Sequence, residues 1–158
     1  MLQTSPVSCR NMSVLKWILA AFVVLAPAGS ADWDPSAIKI TPPDNIPWMK
    51  TANNDSAVLV GDPSKEGLYV ELIRWHEGHN SRPHFHPHDR YIYVISGTWW
   101  VGTGKVYDHS IEKPLGPGSF VVHPAGGIRW DGAREGKGDC VIEIVGMGPA
   151  TSTPAEAK

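Results

Sequence analysis

Four of the seven histidines fall within ten residues, in the stretch Gly78-His79-Asn80-Ser81-Arg82-Pro83-His84-Phe85-His86-Pro87-His88-Asp89-Arg90. His84 and His86 stand two apart in a run that reads as a strand, so both imidazoles point to one face. Two imidazoles on one face can share a metal ion, and imidazole suits Fe, Ni, Cu and Zn alike. The expected cofactor is therefore a divalent transition metal: Fe, Mn, Ni, Cu or Zn. His88 extends the i, i+2, i+4 series, although Pro87 disturbs the strand between. His123 is the fourth candidate metal ligand. If Pro124 to Gly127 form a four-residue hairpin loop, parity turns His123 away from the face of Arg129, whereas a loop one residue longer turns it toward that face. His76, His79 and His109 read as solvated or hydrogen-bonded surface residues.

The elements that must position these side chains are short. The chain has 158 residues, 16 Gly and 14 Pro, a content of breakers that does not suit long helices. Runs that are apolar or alternating lie at 57–60, 68–75, 84–86, 91–95, 98–101, 119–123, 128–130 and 140–145, with Gly, Pro, Asp and Asn between them. Many short strands separated by turn signals predict an all-β antiparallel barrel or sandwich, here assigned to residues 55–148. Residues 32–54 hold Pro35, Pro42, Pro43 and Pro47 with Trp33 and Trp48; such a segment is no helix or central strand and reads as an N-terminal arm lying over the body. Residues 149–158 are small and polar and are expected to fray. Both faces of Leu68–Trp75 and Tyr91–Ile95 are largely apolar. The outer face then needs a cover, from a second sheet, the arm or another subunit, and a homodimer is the expected assembly.

Composition removes other classes. The formal net charge is −2, from 14 Lys+Arg and 16 Asp+Glu with no basic block, which argues against nucleic acid as a partner. The first 31 residues read as a signal peptide: Arg10 and Lys16 lead into Trp17 to Leu25, followed by small residues that offer cleavage after Ala28, Ser30 or, as favoured here, Ala31. Translation could begin at Met1 or Met12. The apolar run is short for a bilayer span, so no stable membrane anchor is expected, and the product is expected in the bacterial periplasm or secreted. Cleavage removes Cys9 and leaves Cys140 without an internal disulfide partner.

Beyond the first histidine cluster, Gly118-Ser119-Phe120-Val121-Val122-His123-Pro124-Ala125-Gly126-Gly127-Ile128-Arg129 carries a second regular spacing. Together the two stretches resemble the motifs of the cupin superfamily, G-x5-H-x-H-x3,4-E-x6-G and G-x5-P-x-G-x2-H-x3-N. Gly78, His84, His86 and Gly97 match the first, and Gly118, Pro124 and Gly126 match the second. The segments His84 to Arg90, Gly97 to Gly104 and Gly146 to Thr153 look like those of small, exported, single-domain bacterial cupins. The resemblance implies a jelly-roll β-barrel, often dimeric, with a divalent metal in the barrel mouth. Two positions depart from it: Arg90 stands where the motif has its metal-binding Glu, and Arg129 where it has its third His. An Arg cannot coordinate a cation and repels one.

Arg90 and Arg129 are therefore candidate ligand-binding residues, since guanidinium groups form bidentate bonds with a carboxylate. For Arg90 the alternative is a structural partner in Asp89, Glu71 or Glu143. Trp99 and Trp100 are adjacent, so one faces in and one out, and the inward one would wall a pocket. Trp100 and Tyr93 complete the candidate ligand-binding set. Three functions stay open on these residues. One is a metal-dependent enzyme for a small molecule, with Glu71, Glu143 or Tyr93 moving a proton. The second is a non-catalytic binder of a small anionic ligand at an arginine-lined site. The third is a structural or assembly role for the barrel.

Overall fold

The computed structural model describes residues 32–157, so the expected signal peptide lies outside the described residues. Residues 32–39 belong to a separate unit, within which Asp34 Oδ1 accepts from Ser36 N at 2.9 Å and Ser36 Oγ at 2.6 Å. From residue 40 onward the chain is a two-sheet sandwich. Its strands are β1 (Met49–Lys50), β2 (Asn54–Val60), β3 (Gly67–Trp75), β4 (His84–Phe85), β5 (Arg90–Ser96), β6 (Trp99–Thr103), β7 (Lys113–Leu115), β8 (Phe120–His123), β9 (Arg129–Gly132), β10 (Cys140–Gly148) and β11 (Thr153–Pro154). One sheet has the order β1-β2-β3-β10-β5-β8 and the other β11-β4-β9-β6-β7. All ladders are antiparallel. This is the expected jelly roll, and each of the eight runs read from the sequence forms a strand. No helix among the described residues is long and apolar enough to cross a membrane.

Alternation decides which side chains enter the core. On β5, Ile92 and Val94 are buried while Tyr91, Tyr93 and Ile95 lie on the outer face. Ile142 and Ile144 of β10 and Tyr69 of β3 join them from the same sheet, and Trp99 of β6 comes from the facing one. Burying each such side chain contributes about 1.5–3 kcal/mol before the chain's ordering entropy is counted.

Two expectations are corrected. Residues 124–128 do not close a hairpin, because β8 pairs with β5 in one sheet while β9 pairs with β4 and β6 in the other. The connection crosses between sheets, so residues at its two ends meet across the interior. The segment after Gly148 does not fray. Ala150 N donates to Pro63 O, Ala155 N to Pro83 O and Ala157 N to Lys105 O, and β11 pairs with β4. With these ladder bonds and the Arg82–Glu156 ion pair, a polar segment finds backbone partners that its composition does not advertise.

Within the sandwich unit, the part of the arm around Trp48 lies against the outer face of the six-stranded sheet. Trp48 lies under the Arg74 guanidinium at 4.3 Å from ring centroid to Cζ, and Arg74 bonds Asp55 at 3.0 Å. Elsewhere on that face Tyr91 and Phe120 stack at 6.5 Å, and Tyr93, Ile95, Val122, Met147 and Leu68 are exposed.

Gly97 closes the β5–β6 turn with φ +73°, a conformation that costs little only for glycine. A Cβ there would run into the backbone carbonyl of Asp139. Gly97→Ala should therefore destabilise the fold by about 2 kcal/mol or more, read as a lowered urea midpoint at unchanged slope.

Candidate functional site

Four residues make one cross-strand row on the inner face of the larger sheet: Tyr69 of β3, Gly146 of β10, Arg90 of β5 and His123 of β8. Gly146 leaves the space that Tyr69 fills, since a Cβ there would lie 2.7 Å from the Tyr69 hydroxyl. From the facing sheet, β4 and β9 bring His84 and Arg129 side by side. Asp131, two residues after Arg129, shares its face.

Each arginine holds one histidine. Arg90 Nη1 donates to His86 Nε2 at 2.6 Å, while His86 Nδ1 donates to Thr151 O at 2.8 Å. Arg129 Nε donates to His123 Nδ1, so the neutral His123 carries its proton on Nε2. Both histidines are buried. Burial, followed by the repulsion of the neighbouring guanidiniums, pulls each imidazole down to about 3, and they are neutral at physiological pH. Burial also lowers His84. Arg129, only 4% exposed, is drawn down by burial to about 10 and stays protonated.

Two acids balance this charge. Glu71 Oε1 accepts from Arg90 Nη2 at 3.4 Å; burial raises its carboxyl, with Arg90 opposing the rise. Asp131 accepts from Trp99 Nε1 and Ser81 Oγ, both at 3.0 Å. Burial works to raise its carboxyl, but the cationic surroundings outweigh it and hold it below the usual value. Donors remain to be met: Arg90 Nε and His123 Nε2 are buried without a hydrogen-bond partner, and the Tyr69 hydroxyl beside Arg90 makes no short bond, though it can accept from that guanidinium. Such groups cost about 1–3 kcal/mol each unless something completes them.

A cavity of about 380 Å³ is lined by Arg90, His84, His86 and Asp131 among others, and a second of about 430 Å³ by Arg90, His86 and Glu71 among others; Arg129, His123 and Tyr69 line neither. The segment from Pro149 to Pro154 separates and walls both, a role invisible in its composition.

The structure thus brings together Arg90, Arg129, His84, His86 and His123. Three candidates stand elsewhere. Tyr93 lies on the outer face and is 46% exposed, because its inward neighbours are Ile92 and Val94. Trp99 is the inward tryptophan; Trp100 faces the other way, with the Arg134 guanidinium 3.9 Å above its ring. His88 sits in the exposed turn after β4, which ends at Phe85 before Pro87. Sequence reasoning passed over Tyr69 and Asp131. Strand parity carries both, since Tyr69 shares the face of Glu71 and Asp131 that of Arg129.

A metal ion needs converging lone pairs. Here the accepting nitrogens of His86 and His123 are taken by guanidinium donors, leaving His84 Nε2 alone among these histidines, and no group of three or more His, Cys, Asp or Glu among the described residues is placed to hold a metal ion. The arrangement does not fit the metal that the motif resemblance implies. Its chemistry is that of fixed cations and hydrogen-bond donors, suited to an anion.

No family model matches the chain, and no curated protein matches it. Solved structures do. The polyketide cyclase RemF from Streptomyces resistomycificus superposes with a TM-score of 0.63 at 15% identity, covering 77% of this chain and 87% of its own. A protein with a double-stranded β-helix domain from Klebsiella pneumoniae gives 0.53 at 21% identity, covering 69% and 90%. A cupin-like protein from Thermotoga maritima gives 0.51 at 21% identity, covering 66% and 79%. The fold is that of the cupin superfamily.

Because His86 and His123 are buried neutral, the unfolded chain binds more protons than the folded one between their unfolded value of about 6.5 and about 3. Their contribution is complete above pH 6.5 and is lost as pH falls toward 3. Urea denaturation from pH 7.5 to 5 should show falling stability; a flat profile would mean that these imidazoles are not held neutral.

Proposed function

We propose that this chain is an exported cupin that binds a small anionic molecule inside its barrel through Arg90, supported by Arg129. The observation that carries this reading is Arg90, a guanidinium in the row Tyr69–Gly146–Arg90–His123 that lines both cavities and whose Nε is buried without a partner. An anion at Arg90 would supply an acceptor there, while Arg129, His123 and Tyr69 line neither cavity and support the site from behind. Glu71, whose burial favours its protonated form, is placed beside Arg90 to hold or pass a proton if the bound molecule reacts. Neighbours in fold include the polyketide cyclase RemF, so the scaffold is compatible with catalysis as well as binding.

Thermal unfolding with and without acetate tests the reading. Acetate should raise the Tm of the mature protein, and Arg90→Ala should abolish the rise; a rise unchanged in that variant would overturn it. Metal analysis of protein purified without a His-tag should find no stoichiometric Fe, Mn, Ni, Cu or Zn. Stoichiometric metal that disappears in His84→Ala and His86→Ala would restore the metal-centred reading.

The exposed apolar face around Tyr91, Tyr93 and Phe120 is proposed to pair with a second copy of the chain. Sedimentation should give a dimer that Phe120→Glu dissociates. The N-terminal sequence of the exported protein should begin at Asp32.

A further inference from the structure

The inner face of the larger sheet changes character along its strands. After the row Tyr69–Gly146–Arg90–His123 comes Glu71–Ile144–Ile92–Val121, then Ile73–Ile142–Val94, then Trp75 beside Cys140. Successive rows are about 7 Å apart, two residues along an antiparallel strand. The face passes from cationic, through one acid, to mainly apolar, with Ser56 and Asn54 of β2 continuing the last two rows and the Trp75 indole N–H buried without a partner. The cavity of about 380 Å³ follows this gradient, with Arg90 and His86 at one end and Ile73, Trp75 and Ile142 at the other. That size is near the lower end for ligand pockets, about 300–1,000 Å³.

We propose that the ligand is a monocarboxylic acid with an apolar body, its carboxylate at Arg90 and its body along Ile73, Trp75 and Ile142. The proposal rests on the anion reading of the same site and narrows it. A dicarboxylate would put its second charge among Ile73, Ile142, the Trp75 indole and Asn54, which offer at most neutral hydrogen-bond donors and no free cation to meet it. The other arginine lining the cavity, Arg82, bonds Glu156 and stacks over Tyr107 at 3.7 Å. Asp131 also lines the cavity and repels a second negative charge. A neutral apolar molecule would fill the far half but leave the donors of the Arg90 row unanswered. Inorganic phosphate would answer the donors and leave the apolar half empty.

Titration calorimetry of the mature protein with straight-chain acids from acetate to hexanoate, at neutral pH, tests the proposal. Affinity should rise about three- to fourfold per added methylene, the gain expected for burying each one. Butyrate should bind more tightly than succinate, and hexanamide should not bind. Ile73→Ser should shrink the gain per methylene. If that variant fails to fold, the series with the unaltered protein decides alone. Equal affinity across the series, with binding abolished by Arg90→Ala, would overturn the apolar body and leave the anion reading standing. No binding of any carboxylate would overturn both.

Discussion

Two guanidinium groups are held between the sheets, and most of the interior is arranged around that fact. A charge taken out of water costs several kcal/mol even after relaxation, so Arg90 and Arg129 must be met on every side. Glu71 and Asp131 supply opposite charge, and two histidines supply lone pairs. That demand fixes the histidines as neutral acceptors. It also places Asp131 where Trp99 and Ser81 can hold it.

The scaffold meets these demands by simple means. Gly146 carries no side chain, which gives Tyr69 and Arg90 room in one row. The chain crosses between sheets after His123, so that Arg129 returns to face it. The segment after Gly148 closes the open edge and gives His86 a carbonyl for its remaining N–H. A guanidinium keeps its charge across physiological pH, and a site built on it attracts anions without recruiting an ion. Where a metal would present empty coordination positions, this interior presents donors, and the proposed choice of an anion rests on that difference.

Much of the architecture was legible in the residues. The eight runs read as strands form strands because alternation and turn residues act locally, and the pairing of His84 with His86 on one side follows from period two alone. The departures at Arg90 and Arg129 marked where the chemistry had changed. Less was legible for Tyr93 and Trp100. Each had an apolar or aromatic neighbour of opposite parity, and the inward place went to Ile92 and Val94 in one case and Trp99 in the other. The hairpin drawn through Pro124 failed because a Pro-Gly turn looks the same whether its strands pair with each other or part to different sheets. The C-terminal segment misled for a related reason: its partners, Pro63, Pro83 and Lys105, are remote in sequence and contribute only backbone atoms.

By itself, then, the sequence determined the class of fold, eight of the strands, which residues share a face within each of them, and the two arginines that stand where the resembled motifs carry metal ligands. These depend on spacing and residue type over a few positions. The tertiary structure alone decided which face is inside, that His123 meets Arg129, that Tyr69 and Asp131 belong to the site, and that the lone pairs of the histidines are taken. Those facts depend on strand order and on pairing between distant segments, and a linear pattern carries parity along one strand but not register between two.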